Sequence, residues 1–415
     1  MKVLYLLPQG KAPNRLGAYT FLDEELHALA SAGVEAFVLS TYADSDTMVG
    51  SVHLRSTGAR ASARNRVSAA VHLLNRTDGL PLRSVRYPLH AYRSAWAEHV
   101  AAGIVEQEGI DLIHSHFGWP QGLGGAFVRA LTGRPLVASL RGTDILVNPS
   151  IGYGRQANPF FGRALRRLLT TADRTLYFSR YMRDHAVSLG ARPEVTRLVR
   201  KGVDLRHFSP VEDRVGLRQT LGLGSRPMIL TVAGLLPRKG IHNILGAVAR
   251  LRDAHDFGFV ICGDGPDRAR LEALAVTLGI ADRVTFTGRV GRDLIPKYFA
   301  ACDVFVLASI MEAAGNVLFE AMSCARPVVC TDSGGPGEYI VDGETGFVVP
   351  VGDEVAMAER LRVLLNDAAL GDRLGQEGRR RTVEEFDYDR MVGDIVQVYD
   401  EVLQERQGLR GPSHG

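Results

Sequence analysis

The chain has 415 residues, long enough for two or three domains that each bury their own core. Hydrophobic residues make up 46% and charged residues 23%, ordinary for a globular protein, and a net charge of +3 is too small to argue for a nucleic-acid partner. No apolar run approaches the roughly 18 residues of a membrane span. The four cysteines, Cys262, Cys302, Cys324 and Cys330, show no CxxC spacing and lie in apolar segments, so they read as buried reduced thiols suited to a cytoplasmic setting.

In chain order, Lys2 to Leu7 reads as a first strand, closed by Pro8. "TFLDEELHALASAG" has helical periodicity, with Phe21, Leu22, Leu26 and Leu29 on one stripe and Gly33 as the stop. "VEAFVLS" is a second strand. "DLIHSHF" and "PLVASL" are two more, flanking a helix around Leu123 to Leu131. "RTLYFS" and "VTRLVRKGVD" continue the alternation. After Phe208-Ser209-Pro210 a polar stretch runs to Arg226-Pro227, and the pattern restarts with "MILTVAG", "FGFVICGDGP", "RVTFTGRV", "CDVFVLAS" and "RPVVCTDSGG". A last helix from Tyr388 carries Met391, Ile395, Val398 and Val402 as an apolar stripe. Strands alternating with helices predict an α/β protein with parallel sheets. The expected organisation is two Rossmann-like doubly wound domains facing a central cleft: an acceptor-binding domain over 1–205, a nucleotide-binding domain over 206–387 with a linker near 205–226, and a C-terminal helix over 388–415 returning toward the first domain, with a disordered tail. Ligands of such sheets sit at the carboxyl ends of the strands, so chemistry is sought in the loops there.

"EAAGNVLFEAM" stands out, with Glu312 and Glu320 eight residues apart across Gly315-Asn316 and a helix start. The backbone N–H groups of Gly315, Asn316 and Val317 are orphan donors there, a ready anion site. A carboxylate beside a diphosphate is repelled unless it does other work. Glu320 can accept two hydrogen bonds from the vicinal diol of a ribose, and Glu312 can hold a sugar. Lys239, before a helix opened by Gly240-Ile241, suits a phosphate, although a solvated loop lysine is the plainer reading. "CGDGP" lacks the third glycine of a dinucleotide loop, and a tight turn explains it equally. "DSD" at 44–46 reads as a turn before it reads as a metal site. Residues 55–93 hold eight arginines against Asp78, with Val67, Ala70, Val71 and Leu74 as a stripe. Such a segment fits a solvated core-facing helix, or peripheral contact with an anionic membrane. His116 in "IHSHF" either faces the cleft or is a satisfied structural histidine.

These residues together resemble the family 4 retaining glycosyltransferases of the GT-B fold. The resemblance rests on Glu312-x7-Glu320 followed by "AMSCARPVV" and Gly334-Gly335, on "TFLDEELHALASAG", and on "VRKGVDLRHFSP" closing the first domain. It implies a nucleoside diphosphate sugar donor, UDP- before GDP-linked, with no metal and no cofactor. It implies Lys239, with Arg238 beside it, on the diphosphate, Glu320 on the ribose, and Glu312 with Gly315, Asn316 and Val317 on the sugar. Val290 would meet the base and Gly17 would approach the diphosphate, while the leaving phosphate assists acceptor deprotonation. The acceptor would be a saccharide, a lipid-linked glycan or a small natural product, with His116 and Asp144 on its side. Two positions depart from the family. Gly234 stands five residues before Lys239, where arginine is usual, and Arg141 stands where many relatives have histidine. Arg141 either restores the missing cation in catalysis or pairs with Asp144. The rival readings are a nucleotide-sugar-binding protein without transferase activity, an epimerase on the same fold, and a dinucleotide oxidoreductase, against which the incomplete glycine loop counts.

Overall fold

The computed structural model describes residues 1–8, 20–40, 43, 45–56, 99–154 and 158–409. Contacts divide the chain into two compact units, Met1–Val199 with Val392–Gly415, and Arg200–Met391. Gly17, most of the basic segment 55–93 and Asp44 lie outside the described residues.

The first unit is built on eight strands: β1 (Lys2–Leu6), β2 (Glu35–Ser40), β3 (Thr47–Val49), β4 (Val52–Ser56), β5 (Leu112–His116), β6 (Leu136–Ser139), β7 (Arg174–Tyr177) and β8 (Thr196–Leu198). Their order is β3-β4-β2-β1-β5-β6-β7-β8, parallel except for the β3–β4 pair. The strand order reverses at β1, which pairs with β2 on one side and β5 on the other. Helices cover the faces, so β1, β2, β5, β6 and β7 are buried almost throughout, as near-continuous apolar runs require. The helix Thr20–Ser31 lays Leu22, Leu26 and Leu29 against this sheet, and Gly33, in the left-handed region at φ 89°, ends it. From Val392 onward the helix Tyr388–Leu409 belongs to this unit, burying Ile395, Val398, Tyr399 and Val402.

The second unit has six parallel strands: β9 (Met228–Val232), β10 (Gly258–Cys262), β11 (Val284–Gly288), β12 (Val304–Leu307), β13 (Val328–Thr331) and β14 (Gly346–Val349), in the order β11-β10-β9-β12-β13-β14. Counted from β9 this is 3-2-1-4-5-6, the doubly wound order whose switch point lies between the first and fourth strands. Here that point falls between β9 and β12, paired through Ile229↔Val304 and Leu230↔Phe305. The core beneath holds Ile229, Ile244, Phe257, Phe259, Val306 and Leu361, all fully buried, each side chain worth about 1.5–3 kcal/mol in transfer from water. The four cysteines are buried and unpaired. Among the described residues no helix is long and apolar enough to cross a membrane.

Candidate active site

Two loops leave the switch point of the second unit, one after β9 and one after β12. The first makes a turn at Pro237–Lys239 and enters the helix Ile241–Ala249 through Gly240, at φ 63°. A Cβ on Gly240 would lie 2.0 Å from the Ala308 carbonyl oxygen, so only glycine lets this loop close on the one after β12. The Ile310 N–H donates to the Arg238 carbonyl at 2.8 Å and holds the two loops together. That closure brings Lys239 onto Glu312, to whose carboxylate its ammonium donates, and Ser309 Oγ donates to the same oxygen at 3.2 Å. Burial raises the Glu312 carboxyl, but Lys239, with Arg238 and Ser309, outweighs it and holds the group below its ordinary value. The residue's backbone is fixed as well. Its N–H donates to Ser333 O at 2.9 Å and its carbonyl accepts from Gly335 N–H at 3.1 Å.

Past Glu312 the chain turns through Gly315, in the left-handed region at φ 77°, into the helix Asn316–Ser323. No side chain caps this terminus among the described residues; Leu318 N–H closes the turn on Gly315 O at 2.9 Å, and the amides before it are the orphan donors of a helix start. Glu320 follows on the same helix, half-buried. Burial pushes its carboxyl up to about 7, against the lowering effect of Lys201 and then Arg292. One unit thus gathers a paired lysine and carboxylate, a helix start with free amides, and a carboxyl poised near neutrality. This set can hold an anion next to a polyol.

The other expected residues of this unit take varied places. Val290 sits in the loop just past β11, half-buried. Gly263 and Gly265 are where backbones meet: a Cβ there would lie 1.8 Å from Ala233 O and 2.4 Å from Leu235 O. The near-dinucleotide loop is therefore a packing device. Gly234 is exposed, with nothing within 4 Å of an added Cβ.

In the first unit, His116 at the end of β5 is fully buried. The Arg141 Nη2 donates to both Glu25 oxygens and to His116 Nδ1, each at 2.8 Å, and the guanidinium lies 4.3 Å from the Phe178 ring centroid and 5.3 Å from that of Phe21. This corrects the expected side-chain pair with Asp144, because Arg141 spends its charge on Glu25. Asp144 contacts Arg141 only through the backbone. Its carboxylate accepts N–H groups from Gly118 (2.8 Å), Arg141 (3.1 Å) and Gly142 (2.8 Å), tying the loops after β5 and β6 together. Burial raises the Asp144 carboxyl and those amides oppose the rise. Beyond this lies a second chain of buried groups, in which His114 bonds Tyr399 OH at 2.5 Å and Ser139 Oγ at 2.8 Å, and Tyr399 OH bonds Tyr5 OH at 3.2 Å. Asp46 of the "DSD" run accepts the Ser56 N–H at 2.7 Å, a turn role. Sequence reasoning missed Glu25, Lys201 and Arg292. Glu25 carried a signal, lying three residues after Leu22 and four before Leu29 on the apolar stripe of its helix.

Two α/β units on largely parallel sheets, with the candidate site at a switch point of the second, are an arrangement of the GT-B type, and comparison with known proteins places the chain more closely. The family described as "Glycosyl transferases group 1" matches residues 216–381, and the one described as "Glycosyl transferase 4-like domain" matches residues 17–202. A GDP-mannose-dependent alpha-(1-6)-phosphatidylinositol monomannoside mannosyltransferase of Mycolicibacterium smegmatis is 31% identical over 297 residues, 69% of this chain and 76% of that one. A D-inositol 3-phosphate glycosyltransferase of Streptomyces bingchenggensis is 30% identical over 335 residues, 77% of this chain and 72% of that one. Among solved structures, sucrose-phosphate synthase from Thermosynechococcus elongatus superposes with a TM-score of 0.79 at 22% identity, covering 98% of this chain and 100% of that one, which speaks for the fold. The chain belongs to the family 4 glycosyltransferases, with the GT-B fold.

Proposed function

We propose that the protein transfers a sugar from a nucleoside diphosphate donor to a polar acceptor, with retention of the anomeric configuration and without a metal ion or cofactor. The observation that carries this is the meeting of Lys239, Glu312 and the open helix start at Gly315-Asn316-Val317 on the switch point of the second unit. In the free protein Lys239 and Glu312 neutralise each other. A bound diphosphate draws the ammonium, and Glu312 is left to accept hydroxyl protons of the sugar. The helix amides stabilise the charge that grows on the leaving phosphate, and that phosphate takes the acceptor proton. Glu320 accepts the ribose hydroxyls, the Val290 backbone faces the base, and Arg238 adds positive charge. His116 and Asp144 belong to the first unit, to which the proposal assigns the acceptor: a saccharide, a lipid-linked glycan or a small natural product. In this assignment the protein works in the cytoplasm.

A UDP-linked sugar is the first donor to test. The mannosyl relative uses a GDP-linked one, so both series are run. A thermal-shift screen of UDP, GDP and their sugar conjugates should show a rise in midpoint for one base series, because a ligand of the native state stabilises it by mass action. No shift with any of them at millimolar concentration would sink the reading. A binder without transferase activity is the second reading, favoured by Gly234 where a cation is usual. Release of free nucleoside diphosphate from the donor separates the two, and the anomeric configuration of a transferred sugar, read by proton NMR, tests retention.

A further inference from the structure

β5 and β6 pair with His116 opposite Ser139, and Arg141 follows two residues past that partner. Its guanidinium is fixed from several sides. Asp144 takes the Arg141 backbone N–H at 3.1 Å, the Phe178 and Phe21 rings flank the guanidinium, and both Glu25 oxygens accept from Nη2 at 2.8 Å. The same Nη2 meets His116 Nδ1 at 2.8 Å, so its two hydrogens are spent on the carboxylate and on the ring. All three side chains are buried.

A guanidinium only donates. Nδ1 is therefore the acceptor in this contact, and a neutral ring carries its proton on Nε2. An imidazolium would set N–H against N–H. A ring turned over would set a carbon 2.8 Å from Nη2, well inside an ordinary contact of about 3.5 Å. Glu25 adds to the preference. Its Oε1 lies 3.8 Å from Nε2, too far for a hydrogen bond, but its charge favours a proton on that nitrogen. Among the described residues the other titratable groups facing the ring are His114 on the same strand and Tyr5 on β1, at 4.3 and 6.3 Å between ring centroids. Behind His114 stands Tyr399 of the C-terminal helix. Burial lowers His114 well below its ordinary value and raises both tyrosine hydroxyls, so all three stay neutral.

We propose that Glu25 and Arg141 are positioning residues that hold His116 in one neutral form, with its proton on Nε2. His116 then offers a donor and cannot take the acceptor's proton, which is left to the leaving phosphate. The inference rests on the reading of His116 as an acceptor-side residue. It also gives the arginine that departs from the family pattern a task other than binding phosphate.

The test is long-range proton–nitrogen NMR of the full chain labelled with 15N-histidine, between pH 5.5 and 8. The His116 signals are those missing from His116→Asn; if that variant does not fold, neutron diffraction from the deuterated wild type reads the same proton. The wild type should show Nε2 protonated and Nδ1 bare over the whole range. A proton on Nδ1, or an imidazolium anywhere in the range, overturns the proposal without any variant. Arg141→Lys should keep the wild-type pattern, because an ammonium also only donates. In the double variant Glu25→Gln with Arg141→Met, His116 should titrate within the range, as an ordinary histidine does. If its proton stays fixed on Nε2 there, Glu25 and Arg141 are not the cause and the proposal fails. In a transfer assay, folded His116→Asn should lose roughly tenfold or less in turnover, the worth of one hydrogen bond. A loss of about 10²–10⁴, the worth of a general base, overturns the donor role. A wild type that transfers no sugar and releases no nucleotide refutes the proposed function, while the NMR pattern still decides how His116 is held.

Discussion

Glu320→Gln should move stability and ligand binding in opposite directions. Burial lifts the Glu320 carboxyl from an ordinary 4.5 to about 7. Between those two values the folded protein holds a proton that the unfolded chain has released. Stability therefore falls as pH rises through that window, and the penalty is complete above 7. At about 1.4 kcal/mol per pH unit, and discounted for a half-buried group, the penalty is on the order of 2–3 kcal/mol. Glutamine keeps the shape and carries no charge to desolvate. At pH 8 it should raise the thermal midpoint of the second unit by roughly 5–10 °C, given about 2–4 °C per kcal/mol for a unit of this size. Below pH 4.5 both forms are neutral and the midpoints should converge. The same variant loses a charged acceptor for a ribose hydroxyl and should weaken UDP or GDP by about 1.5–3 kcal/mol. Calorimetric unfolding at pH 4.5, 6 and 8, with nucleotide titration at pH 8, measures both arms. An equal midpoint change at all three pH values would refute the electrostatic argument. A stabilised protein with unchanged nucleotide affinity would remove Glu320 from the site.

Three further substitutions test the geometry. Gly240→Ala puts a Cβ 2.0 Å from Ala308 O at φ 63°, so it should cost several kcal/mol, about 3 or more, and abolish nucleotide binding by parting the two loops; denaturant unfolding showing a loss below about 1 kcal/mol would contradict the close approach. Gly234→Arg meets open space, so its stability should stay within about 0.5 kcal/mol of wild type, while UDP or GDP binding tightens roughly tenfold if the guanidinium reaches the diphosphate; unchanged affinity by calorimetry would place this position away from the phosphates. Arg141→Met strands the buried Glu25 and should destabilise by about 3–5 kcal/mol, and adding Glu25→Gln should return most of that. A folded double variant with wild-type turnover would leave Arg141 no catalytic role, and an inactive one would support it.

Much of the fold could be read because its signals are local. The strands are short apolar runs, several of them closed by turn residues, and the stripe Met391, Ile395, Val398, Val402 marks a helix whether or not its partner is known. Where the reading faltered, the deciding force was not local. "VTRLVRKGVD" has the composition of a long strand, yet the strand spans only Thr196–Leu198, and from Arg200 the chain belongs to the second unit, where Val203 makes an isolated bridge with Asp387. The strand Gly346–Val349 is four residues behind a glycine turn, too brief for periodicity to declare it. It exists because β13 offers it a parallel edge.

The site divides along the same line. Glu312, Lys239 and the Gly315 turn could be linked from spacing, since a helix start and its flanking charges are neighbours in sequence. Arg141 could not be placed that way. Its partner was a choice between Asp144, three residues on, and a distant phosphate, and the structure pairs its side chain with Glu25 rather than with Asp144. Asp144 was already committed to three backbone amides, which a residue in the loop after β6 is well placed to serve. The guanidinium therefore turned to Glu25, 116 residues away, on the buried stripe of a helix. A charged residue inside an apolar stripe is costly to bury alone, so Glu25 demanded a cation as surely as Arg141 demanded an anion. Lys201 and Glu320 obey the same rule less completely. There the cation lowers the carboxyl without bringing it to its ordinary value, and the imbalance is what a ligand carrying a diol could relieve. A charge balanced inside the fold reads as structure, and a charge left partly unbalanced at the end of a strand reads as a place held for something else.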